Sequence, residues 1–402
     1  MSEIEPTGRS GRAVALRHGR QRRYGGTGRA FGVVASVLAV ILVSGGLVGA
    51  ATYSSVQKQI AAQAVVINDQ PPPPPDLGAI EGGYNMLIVG SDTREGQNGY
   101  GGEDEGGVLN DVNILIHVAQ DQSNAVVVSF PRDLQVPISG RCEDLWTYEN
   151  KINTALSQGG LACAVATVED FTGLPIQFAG LITFLGVVEM ADAIGGVDVC
   201  INGPMYDDEV GLDLPEAGTY ALSGWEALAF LRSRHGVGDG SDLGRVSSQQ
   251  VYLSSLVRKL KSGDTLKDPV KLIGLANTVI NLATREQPLM QISSSLADPY
   301  MIAQIALSLK NIPLERVLFI QYPGAGIVDG NVIPDHSLAD PMFDLVRADQ
   351  PFVLEAVGDD RGSTADPNAP VQEPTVDNEG LPVMGGISGQ SAADYSCTVV
   401  ND

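Results

Sequence analysis

Residues 31–52, FGVVASVLAVILVSGGLVGAAT, carry no charged side chain, and as a helix they exceed the ~20 residues that cross the core of a bilayer. A chain containing such a segment is divided between two compartments, so the orientation of this helix governs every later expectation. Before it stand Arg9, Arg12, Arg17, Arg20, Arg22, Arg23 and Arg29 against only Glu3 and Glu5. The formal charge of the whole chain is -23, so a tail of about +5 leaves about -28 on the rest. Basic flanks stay inside, which places the N-terminus in the cytoplasm and residues beyond 53 outside it. A cleaved signal peptide is the competing reading, with Val48, Gly49 and Ala50 as a loose cleavage site. The run is longer than the ~7–15 residues of a signal core, which favours a single-pass membrane anchor.

The acidic exported part would repel nucleic acid, which is thereby excluded as its partner, although a local arginine pocket is not. Four cysteines, Cys142, Cys163, Cys200 and Cys397, all fall on the exported side, where an even number implies two disulfides. Three pairings are open. Neighbourhood favours Cys142 with Cys163, leaving Cys200 with Cys397 to tie the C-terminus back. A metal site of cysteines is disfavoured, because no CxxC spacing occurs and histidines are few.

Six regions follow: a basic tail at 1–30, the membrane helix at 31–52, and a stalk with a polyproline linker at 53–83. The main domain spans 84–352, an acidic stretch poor in apolar residues at 353–388 is expected to be disordered, and 389–402 is expected to dock through a disulfide. Within the main domain, NMLIVGSD, DVNILIHVA and NAVVVSFPRDL read as strands, the last two joined by a DQSN turn. Helices are expected over Lys151–Phe171, within Gly180–Ile194, over SGWEALAFL with Ser223 as cap, and over LGRVSSQQVYLSSLVRKLKS. GGVDVCI and RVLFIQY read as further strands. Such mixing without a repeat predicts an α-β-α sandwich around a central mixed, twisted sheet.

The most chemically dedicated segment is RSRHGVGDGSDLGRVSSQQ, residues 232–250. Guanidinium forks at this density suit a multivalent anion such as pyrophosphate. If the chain is extended at Arg232 and Arg234, both side chains share a face, and Arg245 and Gln249 share a helix face. Ser241 or Asp242 can cap that helix, whose positive end favours anions. A solvated, salt-bridged loop is the plainer alternative. Asp92 and Asp111 stand at ends of expected strands; if those strands are neighbours, the two carboxylates converge and can share Mg²⁺ or Mn²⁺. Arg94 follows Asp92, Arg132 and Asp133 follow a third strand, and Lys151 adds a cation near a helix start. His117 lies inside an apolar strand, and no Walker, G-x-G-x-x-G or G-x-S-x-G frame occurs. The chemistry left is phosphoryl transfer by positioning and charge.

In their order, GSDTR, NDVNILIHV, SFPRDL, KINTAL with GG, and RSRHGVGDGSDLGRVSSQQ, after a basic tail and one membrane helix, resemble the LytR-CpsA-Psr family of cell-envelope enzymes. The resemblance covers roughly residues 84–262 and continues more weakly to about 350. It implies an α/β sandwich with a hydrophobic groove, and a phosphotransferase that moves a glycopolymer from a polyprenyl-pyrophosphate carrier to peptidoglycan. By the same resemblance, Asp92 and Asp111 correspond to magnesium ligands with Arg94 beside them. Arg132, Arg232, Arg234, Arg245 and Gln249 correspond to pyrophosphate-binding positions, Lys151 lies near the phosphates, and Asp242 orients arginines. Arg132, Arg234 and Asp133 are the expected catalytic residues, with Asp133 or Asp92 as general base by type. The sequence departs from the family pattern at Ser248, where many members carry arginine, and at Asn110 and Val112 around Asp111. Two rivals share these residues: a pyrophosphatase releasing polymer or polyprenyl phosphate to water, and a non-catalytic wall regulator that retains a polyprenyl lipid.

Overall fold

The computed structural model describes residues 58, 60, 62–67, 82–93, 108–142, 147–262, 265–370 and 375–401. The basic tail at 1–30, the apolar run at 31–52 and the prolines at 71–75 lie outside them. Among the described residues, no helix is long and apolar enough to cross a membrane. Part of the expected stalk docks on the domain: Ile60 is buried, and Val65 exchanges backbone bonds with Ile292 and Ser294.

Three apolar runs become β1 (Tyr84–Ser91), β2 (Asn110–Val118) and β3 (Ala125–Phe130), followed by the ribbon of β4 (Gln135–Ile138) and β5 (Tyr148–Lys151). Next come α1 (Gly160–Thr172), β6 (Phe178–Ile182), α2 (Phe184–Ile194), β7 (Val197–Ile201), β8 (Met205–Asp207), β9 (Leu212–Leu214) and β10 (Gly218–Leu222). The helices α3 (Gly224–Arg232), α4 (Asp242–Ser262) and α5 (Pro269–Ala283) lead to β11 (Met290–Ile292), α6 (Pro299–Ser308) and β12 (Val317–Gln321). A hairpin of β13 (Gly324–Val328) and β14 (Asn331–Pro334) precedes α7 (His336–Arg347). Short strands close the chain: β15 (Val353–Leu354), β16 (Ser363–Ala365), β17 (Val383–Met384), β18 (Gly389–Ser391) and β19 (Ser396–Thr398).

The central sheet has the order β11-β6-β1-β2-β3-β12-β18. Strand β1 is parallel to β6, β3 is parallel to β12, and β2 is antiparallel to both β1 and β3. Hence β6, β1, β3 and β12 all end at one edge of the sheet. Period-two alternation sends Leu87, Val89, Val126 and Val128 toward α1 and α7, and Tyr84, Val127 and Phe319 toward α5 and α6. Each such buried side chain contributes about 1.5–3 kcal/mol, and the two apolar faces explain why helices cover both sides of the sheet. A second sheet, β10-β7-β19-β16, packs with α3 and α4 around Val199, Phe230 and Val251.

Four expectations are corrected. Lys151 ends a strand, and two 3₁₀ turns intervene before α1 begins at Gly160, because Asn110 accepts from the Leu156 N–H and holds that turn against β2. Arg232 is the last residue of a helix, so it and Arg234 do not share an extended strand. Ser223 occupies the N-cap position of α3, but its side chain makes no capping bond, whereas at α4 Ser241, one of the two expected caps, accepts from the Gly244 N–H at 3.2 Å. Finally, much of 353–388 is ordered: β16 pairs with β19, and β15 pairs with β17. Adding strands to an existing sheet satisfies backbone groups that composition alone cannot account for.

Candidate active site

The edge where the parallel strands end is the usual place for ligands in such sheets. Asp92 leaves β1 there, and its Oδ1 accepts from the Leu109 N–H at 3.1 Å. The neighbouring strand begins with Asn110, so Asp111 stands beside Asp92 as the sequence reading required. Gly90 makes this approach possible, since a Cβ there would meet the Val112 side chain at 2.9 Å.

Arg132, just past β3, is the hub. Its Nη1 donates to Asp111 Oδ2 at 2.9 Å, while Nε lies 3.3 Å from Asp242 Oδ1 and 3.5 Å from Asp133 Oδ2. Lys151 donates to Asp133 Oδ1 at 2.6 Å, so it is a fixed member of the network and not a mobile cation. Arg245 Nη2 lies 2.8 Å from Asp242 and donates to the Asp111 backbone oxygen at 3.0 Å. Burial works against the charge of Arg132, but Asp111, Asp242 and Asp133 outweigh it and raise its pKa. For Arg245 burial wins and lowers the pKa, despite Asp242 and Asp111, with Arg132 and Arg234 adding repulsion. Among the described residues, Arg132 Nε and Arg245 Nε make ion pairs at most and no hydrogen bond of good geometry, and the acceptors Asn153 Oδ1 and both Asp242 oxygens likewise make none. Cations assembled at this density, with donors unspent, fit an anion.

A cavity of about 360 Å³ opens from this cluster. Its polar lining includes Asp92, Asp111, Arg132, Arg234, Arg245 and Gln249, with Asp207, Glu209 and His235, and its apolar lining includes Ile88, Ile114, Ile182, Val187, Leu228 and Leu253. Arg232 is in the wall, its guanidinium 4.2 Å from the centre of the Phe184 ring. Gln249 also holds the scaffold together, donating to the Leu231 oxygen at 2.8 Å. Asp133, Lys151 and Asp242 stand behind the lining, joined to it through Arg132, and Arg94 lies outside the described residues. Burial pushes the Tyr252 hydroxyl up to about 12, which keeps it a donor at the cavity wall.

Sequence reasoning missed Asp207. From the end of β8 it accepts from Ser233 Oγ and the backbone N–H groups of Arg234, His235 and Gly236, and so shapes the turn that presents Arg234. The last residues of the chain brace the same turn: Gly238 N donates to Val399 O at 2.9 Å, and Asn401 N to Gly236 O at 3.1 Å. The cysteines pair as Cys142–Cys163 and Cys200–Cys397. Asp366 lies near the second pair, but oxidised sulfurs offer no thiolate to a metal. Asp92 and Asp111 are a different matter. Two carboxylates on adjacent strand ends, facing one cavity, form the all-oxygen donor set that Mg²⁺ takes.

The sequence model of the LytR_cpsA_psr family matches residues 42–341. The chain belongs to this family. Among curated LytR_cpsA_psr relatives, it is 30% identical over 314 residues to the cell wall biosynthesis protein LcpA of Corynebacterium glutamicum, covering 71% of this chain and 57% of that protein. It therefore spans little more than half of that relative. It is 26% identical over 306 residues to the polyisoprenyl-teichoic acid–peptidoglycan teichoic acid transferase TagT of Bacillus subtilis, covering 73% of this chain and 87% of that one. The fold is that of the LytR-Csp2A-Psr enzyme from Actinomyces oris, with a TM-score of 0.51 and 23% identity over 72% of this chain and 95% of that one.

Proposed function

We propose that this LytR_cpsA_psr protein transfers a glycopolymer from a polyprenyl-pyrophosphate carrier to peptidoglycan, leaving a phosphodiester link. One observation carries the reading: an apolar cavity ends in a cluster of arginines and two adjacent carboxylates, matching a lipid tail that ends in pyrophosphate. The printed names of the relatives, cell wall biosynthesis protein and teichoic acid transferase, support the same reaction class.

In this reading Arg132, Arg234 and Arg245 hold the pyrophosphate oxygens, and Lys151 keeps Asp133 in place. Asp92 and Asp111 would hold Mg²⁺ or Mn²⁺, which would supply neutralisation of the pyrophosphate charge. A sugar hydroxyl of peptidoglycan attacks the sugar-linked phosphorus, the bond to polyprenyl phosphate breaks, and a carboxylate of the lining, Asp92 by type, takes the hydroxyl proton, while Asp133 behind it orients Arg132. Arg232 flattens against Phe184 where the apolar wall meets the charged end. The domain works outside the membrane, tethered by residues 31–52; two disulfides support an oxidising compartment.

The test uses labelled lipid-linked polymer with and without peptidoglycan. Product that grows only with peptidoglycan is expected, and Arg234→Ala or Asp111→Ala should lower its rate at least about 100-fold. Polymer released equally without acceptor would instead identify a pyrophosphatase. Full activity in both variants would remove the site assignment.

A further inference from the structure

Along the sheet edge the chemistry changes in strand order. Apolar walls of the large cavity lie at β6 and β1, with Ile182 and Ile88. The charged centre follows at β2 and β3, with Asp111 and Arg132. The next strands, β12 and β18, border a separate cleft of about 280 Å³ whose walls mix polar and apolar groups. Asp239, Ser241, Gln321, Tyr322, Arg361 and Ser388 line it. At ~4.8 Å per strand, β12 stands about 10 Å from β2, which is the span of one or two sugar rings beyond a phosphate.

We infer that this cleft is a saccharide subsite. The inference rests on the proposed transfer, in which lipid and sugar hang from opposite ends of one pyrophosphate. With the lipid on the β6 side of the arginines, sugars must lie on the β12 side. The lining fits that ligand. Arg361 Nε and Asp239 Oδ2, 3.6 Å apart, form a fork of donors and acceptors suited to vicinal hydroxyls. Gln321 is 8% exposed, and among the described residues its buried amide oxygen has no hydrogen-bond partner, an unmet acceptor beside the cleft. Gly324, Gly326 and Gly386 are also in the lining, where they add backbone and no side chain. The cleft adjoins the charged centre through the chain. Ser241 and Leu243 flank Asp242, and Val332, on its rim, donates its N–H to the backbone oxygen of Asp133 at 2.8 Å. Arg361 and Ser388 belong to the region after α7, so the chain's C-terminal part would help choose the glycan.

Sugars reach this place from two sources, the donor polymer or the peptidoglycan acceptor, and binding measurements on the full chain in detergent separate them. Three probes serve: polyprenyl pyrophosphate, the same lipid bearing a disaccharide, and a soluble peptidoglycan fragment. Gln321→Leu and Arg361→Ala should each weaken one sugar-bearing probe about tenfold while leaving polyprenyl pyrophosphate unchanged. Loss on the lipid disaccharide assigns the donor; loss on the peptidoglycan fragment assigns the acceptor and should raise its KM without changing kcat. Wild-type affinity for both sugar probes in both variants would overturn the subsite. If polyprenyl pyrophosphate fails to bind the wild-type chain while sugar binding still depends on Gln321 and Arg361, the subsite stands and the transferase reading falls.

Discussion

One oxygen of Asp207 gathers four donors, Ser233 Oγ at 2.7 Å and the N–H groups of Arg234, His235 and Gly236 at 3.0, 3.1 and 3.4 Å. Asp207→Ala strands these buried donors, so stability should fall by about 2–4 kcal/mol, with weaker binding of pyrophosphate lipid as Arg234 loses its place. Thermal melting beside a binding assay checks this; a stable variant with wild-type affinity would deny Asp207 the positioning role. The pH dependence has a definite sign. Burial pushes the Asp207 carboxyl up, but the bonds from Ser233, Arg234, Gly236 and Glu209 prevail and hold it below the ordinary 3.8. The unfolded chain then binds the proton more readily, so this contribution is full above about pH 4 and is lost as pH falls through the native value. Asp207→Asn should remove that acid-labile part, and melting curves of the two proteins should diverge below pH ~4; parallel curves would contradict it.

The helix α4 faces two ways. Its first turn gives Asp242 and Arg245 to the active-site network, and the next turn receives the C-terminal strands on small residues. Ser247 Oγ donates to Asp359 at 2.7 Å, and Ser248 Oγ lies 3.2 Å from Thr398 Oγ1. Here is the physical reason for the departure at Ser248: β19 covers this face, and an arginine has no room beneath it. Ser248→Arg should expel the C-terminal segment, read as new protease cleavage after Gln390 and a fall in Tm of several degrees. An intact, uncleaved variant would show that the face tolerates a large charge. The same helix shows what sequence reveals. Its apolar stripe and the arginine-rich turn before it were legible, because charges at this density and helical spacing are local patterns. So were the hairpin of β2 and β3 and the adjacency of Asp92 and Asp111, which follow from period-two runs and one short turn. The clamp of Asp207 was not legible, since its partners are one hydroxyl and three backbone groups some 26–29 residues away. Nor was the order in 353–388, where pairing with distant strands and not local composition decides.

At the scale of the molecule, the chain's two ends of information meet at one turn. Cys200–Cys397 joins residues 197 apart, whereas Cys142–Cys163 closes a separation of 21. By loop entropy the longer link restrains the unfolded chain more, by roughly 1–2 kcal/mol beyond the ~3 kcal/mol of the shorter. It also sits where β19 lies parallel to β7, one strand from the residues that bond the arginine turn. Gly238 is pressed so closely by that region that a Cβ would lie 1.7 Å from the Arg361 oxygen, and its φ of +49° suits glycine. Two different losses are therefore expected. Serine at Cys142 and Cys163 should lower Tm and leave the affinity for pyrophosphate lipid unchanged, because that bridge ties α1 to the turn after β4 and neither cysteine lines the cavity. Serine at Cys200 and Cys397 should lower Tm further and weaken lipid binding several-fold even well below the melting temperature, because the brace on Arg234 and on the cleft at Arg361 is released together. Equal affinity in both double variants, measured at a temperature where each is folded, would mean that Asp207 alone holds the turn and that the C-terminal strand contributes stability without shaping the site.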